Sequence, residues 1–229
     1  MQASEGGAAA AAAACSSRAG ECRTTAAFSD IYAEEKWGVE ARSGFGSRED
    51  TTREFRSFLE EFLRQRQVSS VVDAGCGHWP SGYQRFLAWQ GADYIGVDVV
   101  PYVVEENQEF FKQNEHLEVC NLSSAEFRVG DVSQPLPHAD LLIVKDVLMH
   151  LPNAAVHRFL QNNCSPYAPR YRAVLLVQNE VPLNLRETMD IEPGQLLPFN
   201  ISSPPFNAPF TSIFRWTSDQ PKVVQLWEA

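Results

Sequence analysis

The residues best suited to chemistry sit in the run Val71-Val72-Asp73-Ala74-Gly75-Cys76-Gly77. A short apolar stretch closing on an acid and two glycines reads as a strand entering a loop. Glycines there let the polar atoms of a ligand approach the backbone closely. Asp98, 21 residues beyond Gly77, ends a second such run, Tyr94–Asp98, where a carboxylate accepts from ribose hydroxyls. Asp131 follows a third run, Phe127–Val129. Three acids at successive strand ends around one glycine loop point to a nucleoside-binding cleft. Two details narrow the ligand. Pro80 stands where a dinucleotide fingerprint needs its third glycine, and Asp73 would repel a pyrophosphate but attract a positive charge.

A fourth run, Leu141–Val144, leads into Lys145 and Asp146, with His150 about one helical turn beyond. His150 titrates near neutrality, so it is either a proton acceptor or a hydrogen-bonded structural histidine. Asp146 is either its catalytic companion or an acid at a helix start. Asn179-Glu180 follow a fifth run, at a strand's carboxyl edge where they are placed to contact the acceptor; Glu180 reads alternatively, and by preference, as a solvated loop acid. Cys76 reads as a small filler of a tight loop. Trp37, Phe45 and Trp79 suit either packing or the wall of an acceptor pocket.

Elements must place these residues. Phe55, Phe58, Leu59, Phe62 and Leu63 form the stripe of an amphipathic helix over Thr51–Gln65, with Thr51 and Glu54 spaced as a capping box. Further helices are expected over Ser81–Gln90 and Val104–Glu115, and from a cap at Asn153 to about Asn162. The runs 71–72, 94–98, 127–129, 141–144 and 173–177 alternate with them, which argues for a parallel sheet covered on both faces. After Pro193 the prolines break any long helix, and Ser212–Trp216 and Val223–Trp227 read as an antiparallel edge.

Composition sets the limits. The chain has 229 residues, 44% hydrophobic, with 19 basic against 29 acidic side chains and a formal net charge of −10. It can bury a real core, and it lacks the basic excess of a nucleic-acid clamp. No window approaches the roughly 18 apolar residues of a membrane span. Five cysteines without CxxC spacing suggest a reduced compartment, and the cytoplasm is expected. Residues 1–27 hold eleven alanines and no large aliphatic or aromatic side chain, so they read as a disordered tail. A transit peptide is the rival reading, disfavoured by Glu5 and Glu21. Residues 28–229 read as one domain: a cap and first helix over 28–66, a ligand-binding core over 67–180, and a proline-rich, substrate-side segment with the terminal strands over 181–229.

The set Asp73-Ala74-Gly75-Cys76-Gly77, Asp98, Gly130-Asp131-Val132 and Leu141–Asp146 resembles successive motifs of class I S-adenosylmethionine-dependent methyltransferases. The flanks are similar to a small group within that family, through Trp37-Gly38, Ser43-Gly44-Phe45-Gly46-Ser47 and Asp190-Ile191-Glu192-Pro193-Gly194. Two positions depart from that group: Leu197 stands near the place of an arginine, and His78 follows the first loop where an acid is more usual. The resemblance implies an α/β, Rossmann-like, doubly wound sheet of seven strands, mostly parallel, with an antiparallel edge strand. It implies S-adenosylmethionine as cofactor, which carries a sulfonium and an amino group but no phosphate. Gly75, Cys76 and Gly77 would lie against its methionine portion and Asp73 would face its amino group. Asp98 with Val99 would hold the ribose, and Asp131 and Val132 the adenine. Lys145 and Asp146 would border the methyl, with Asp146 and His150 as the catalytic candidates. The partner expected is a small-molecule acceptor, with neither nucleic acid nor membrane. A nicotinamide-dependent oxidoreductase, and a non-catalytic relative that acts through a partner, are the alternatives.

Overall fold

The structure is a computed structural model that describes residues 22–113, 115–165, 169–181, 187–218 and 220–228. Its centre is a seven-stranded sheet. The strands are β1 (Ser70–Ala74), β2 (Ala92–Asp98), β3 (Leu122–Val129), β4 (Leu141–Lys145), β5 (Ala173–Asn179), β6 (Thr211–Thr217) and β7 (Pro221–Glu228). Their order is β3-β2-β1-β4-β5-β7-β6. The first five are parallel, while β7 runs antiparallel to β5 and to β6. The chain starts in mid-sheet, moves outward to β3, then returns to β4 on the other side of β1. Such a reversal opens a crevice beyond the carboxyl ends of the strands.

The apolar runs behave as strands covered on both faces should. Leu142 and Val144 enter one core with Val72, Ala74, Val174 and Leu176. Leu141 and Ile143 enter the other with Val71, Leu175 and Val177. The first face is covered by helix α1 (22–33), by α5 (Asn153–Asn163) and by the proline-rich segment. The second is covered by α2 (Arg53–Arg66) and by an aromatic cluster around Trp79, Trp89 and Tyr94. Helices α3 (Pro101–Phe110) and α4 (Glu115–Cys120) flank β2 and β3.

Several expectations require correction. Residues 22–27 are not a tail but the first half of α1, with Thr24 buried; residues 1–21 lie outside the described residues. The helix expected over 81–90 is two short 3₁₀ turns, Trp79–Ser81 and Tyr83–Phe86. Gly82 between them is extended, and a Cβ there would meet Gln84 Oε1 at 2.3 Å. Trp79 is fully buried, with its N–H donated to Asn107 Oδ1 at 2.8 Å, so the chain follows this anchor rather than a helical path. The expected capping box is absent. Thr51 and Thr52 donate their hydroxyls backward instead, to the carbonyls of Phe45 (2.8 Å) and Arg48 (2.6 Å). Asn153 is the first residue of α5 rather than its cap; its N–H is donated to the Asp190 carboxylate at 2.7 Å. The helix expected over 104–115 instead starts at Pro101, whose fixed φ suits a first turn, and ends at Phe110.

Candidate active site

At the switch point lies a cleft of ≈ 370 Å³. The residues expected to hold the cofactor and border the methyl all line it, whereas Trp79, offered as a pocket wall, is buried in the core behind it. On one side stand Asp73, Gly75, Cys76, Gly77, Asp98 and Val99. Asp131 and Val132 follow β3, and Lys145, Asp146 and His150 follow β4. Asn179 reaches it from β5, while Glu180 turns away to pair with Arg215 at 2.7 Å.

The loop after β1 needs its glycines. Gly75 and Gly77 have φ of +79 and +64, the left-handed region costly for other residues. A Cβ on Gly75 would meet Val147 Cγ2 at 2.3 Å, and one on Gly77 would meet Ser43 Oγ at 2.3 Å. Asp98 is tied to this loop, since its Oδ2 accepts from the Gly77 N–H at 2.9 Å and its Oδ1 from Val100 N–H at 3.0 Å. Burial pushes its carboxyl upward, and those N–H donors oppose the rise. Asp73 is fully buried, accepting at Oδ2 from the Tyr94 hydroxyl (2.7 Å) and Gln84 Nε2 (3.2 Å). Burial outweighs both donors and pushes its pKa up to about 6. Asp131 Oδ1 accepts from the Ser133 N–H at 2.7 Å. Burial drives the Cys76 thiol far above its ordinary pKa, which fits the filler reading and not a nucleophile.

Beyond β4 the chemistry changes sign. Asp146 has φ +55 and accepts from Lys145 Nζ at 2.6 Å and Lys222 Nζ at 2.9 Å. Burial alone would raise its pKa, but the two ammoniums outweigh it and hold the carboxyl at about 2. A carboxylate so bound is a poor proton acceptor, so the geometry makes Asp146 the partner of two lysines rather than a base. Lys145 also donates to the Gly46 carbonyl at 2.7 Å. His150 is different. Burial lowers its pKa, keeping the imidazole neutral at pH 7, and its Nδ1 lies 3.0 Å from the Gln195 carbonyl. A carbonyl accepts only, so Nδ1 carries the proton and Nε2 is the basic nitrogen.

Sequence reasoning missed two parts of the wall. Lys222 was passed over because it stands at the start of β7, as its second residue; in an antiparallel strand the start lies at the carboxyl edge of its parallel neighbours, which was the available signal. The second is the α1 part of the front wall, Phe28 and Tyr32, which stand beside Trp37, already a candidate for the pocket wall. Phe28, Tyr32 and Trp37 form a chain of aromatic contacts at 5.6–5.9 Å, and His150 stands 5.6 Å from Trp37. The Ser43–Ser47 segment closes over the cleft from above, with Ser43 Oγ accepting the His78 N–H at 2.8 Å and lying 2.7 Å from the Tyr32 hydroxyl.

A doubly wound sheet, a glycine loop after its first strand and acids after the next two define a nucleoside-cofactor fold. Residues 72–163 match the family model of a methyltransferase domain. The fold is similar to the methyltransferase domain of bacterial CtHen1-CN, at 13% identity and a TM-score of 0.52 over 78% of this chain and 100% of that one. It is similar also to magnesium protoporphyrin IX methyltransferase (ChlM) from Synechocystis PCC 6803 with bound SAH. There the identity is 15% and the TM-score 0.52, over 92% of this chain and 98% of that one. No curated protein matches the chain. Residues 72–163 therefore match a methyltransferase domain, on a fold shared with S-adenosylmethionine-dependent methyltransferases, and the oxidoreductase reading is set aside. Among the described residues no helix is long and apolar enough to cross a membrane, and no cluster of metal-ligating side chains occurs.

Proposed function

We propose that the protein methylates a small-molecule or simple polar acceptor, in the cytoplasm. The observation that carries this reading is the convergence of Asp73, Asp98 and Asp131 on one cleft whose floor is a loop with two positions, 75 and 77, that take only glycine. When bound, S-adenosylmethionine supplies a methyl group already activated by its sulfonium. The protein's part is placement and exclusion of water.

Asp98, preorganised by two backbone N–H groups, keeps lone pairs for ribose hydroxyls. Asp73 offers its carboxylate to an ammonium, Asp131 offers its second oxygen to the adenine amino group, and the Val132 N–H addresses the ring. His150 accepts a proton at Nε2 when the acceptor has one to lose, while Lys145, Asp146 and Lys222 border the transfer region. The aromatic wall of Phe28, Tyr32 and Trp37 suits a planar or cationic group.

Two measurements test this. Isothermal titration of the folded protein with S-adenosylhomocysteine is expected to show binding, and its absence would discard the reading. Metabolite profiling with an isotopically labelled methyl donor is expected to place label on a small molecule. Label found only on protein or RNA would overturn the acceptor class.

A further inference from the structure

The carboxyl edge of the sheet is divided by charge. On the half built from β1, β2 and β3 stand Asp73, Asp98 and Asp131. On the half built from β4, β5 and β7 stand Lys145 and Lys222, both buried and joined through Asp146. Lys145 lies between two carboxylates, Asp146 and, across the β1–β4 junction, Asp73, whereas Lys222 shares Asp146 alone, so the positive charge least compensated on that half is at Lys222, inside a chain of net charge −10.

Donor accounting points to the same residue. A lysine ammonium has three N–H donors. Lys145 spends two, on Gly46 O and Asp146 Oδ2, and lies 5.4 Å from the face of the Tyr83 ring. Lys222 has one acceptor among the described residues, Asp146 Oδ1, so two donors on a buried ammonium lack a protein partner. Those donors face the cleft, where a ligand carboxylate can take the place of water as their acceptor. Lys222 arises three strands from the glycine loop, opposite Asn179, whose Oδ1 is also buried and unpartnered. Its charge bears on His150, the basic group of the site.

Resting on the methyltransferase reading above, we infer that Lys222, with Lys145 and Asp146 holding it in place, binds the carboxylate of the methyl acceptor. The acceptor is thus a small monoacid whose reacting atom lies beside His150. A single under-compensated ammonium matches a carboxylate rather than a phosphate dianion. The carboxylate is a handle for recognition and is not itself consumed.

The test uses the full chain saturated with S-adenosylhomocysteine, and benzoate with its neutral isostere benzamide as probes, followed by titration calorimetry. Benzoate is expected to bind at least about tenfold more tightly than benzamide. Lys222→Met is expected to abolish that preference and Lys222→Arg to keep it, with affinity for S-adenosylhomocysteine unchanged within about twofold. If Lys222→Met does not fold, Lys222→Gln is read in its place, and the wild-type comparison stands without any variant. Equal binding of the two probes, or a preference for inorganic phosphate over benzoate, would overturn the inference. So would a Lys222→Met protein that still prefers benzoate. A variant weakened for S-adenosylhomocysteine but not for 5′-methylthioadenosine, which lacks the carboxylate, would assign Lys222 to the cofactor and overturn it too. Failure of S-adenosylhomocysteine to bind the wild type would instead strike the proposed function, and the subsite would fall with it.

Discussion

Asp73 shows how a single side chain trades stability for binding. Its pKa of about 6 in the folded protein, against an ordinary 3.8, means that keeping it ionised costs about 3 kcal/mol at neutral pH. The sign follows from the raised folded value. The cost is full above about pH 6 and is relieved as pH falls toward the unfolded value. Asp73→Asn is therefore expected to raise the melting temperature by several degrees at pH 8, with the gain shrinking toward zero near pH 4. Thermal unfolding across that range checks it, and a gain independent of pH would refute the cause given. If Asp73 faces an ammonium, wild-type affinity for S-adenosylhomocysteine should also weaken below about pH 6, by up to about tenfold per unit, and the Asn variant should lack this dependence. Asp98 needs a different substitution. Alanine would orphan the Gly77 and Val100 N–H groups, at about 1–3 kcal/mol each, so a fold-neutral test is not available there. Asp98→Asn keeps one acceptor and the volume, and is expected to weaken S-adenosylhomocysteine binding at least about tenfold by calorimetry. These acids were legible because strand ends in a parallel sheet converge by geometry, so naming the strands placed the carboxylates. Lys222 was not legible by the same rule, since that rule reads strand ends and Lys222 is the second residue of its strand.

At the scale of elements, the sequence signalled those that bury a regular face. The phenylalanine stripe of α2 and the unbroken runs of β4 and β5 repeat at the period their packing demands. It failed where long-range partners override local preference. The first five residues of β3, Leu122–Glu126, went unread because Ser123, Ser124 and Glu126 interrupt the apolar signal and face solvent. Trp79 drew the segment after the glycine loop into two tight turns, a choice made by Tyr94, Trp89 and Phe111 rather than by its neighbours in sequence. The cap of α5 is the clearest case. It comes from Asp190, 37 positions away, which no local pattern announces. Asp190→Ala is expected to cost about 1 kcal/mol and to lower the melting temperature by about 2–4 °C, as a denaturation curve would report. A neutral result would show that solvent replaces the carboxylate at that helix end.

For the molecule as a whole, the fold supplies a crevice and the added layers decide what enters it. A ligand that binds only the folded state at about a hundredfold its dissociation constant adds about 2.7 kcal/mol. S-adenosylhomocysteine is accordingly expected to raise the melting temperature by several degrees, while NADH at equal concentration leaves it unchanged; a shift with NADH would contradict the ligand class. One contact joins the added layers to the crevice floor. The Ser43 hydroxyl meets Tyr32 of α1 and the His78 N–H of the glycine loop, and it covers Gly77. That oxygen works as a hasp between door and frame, tying the cover to the floor of the crevice. Ser43→Ala is expected to discharge bound S-adenosylhomocysteine faster in stopped-flow, and an unchanged release rate would show that this contact does not hold the cover in place.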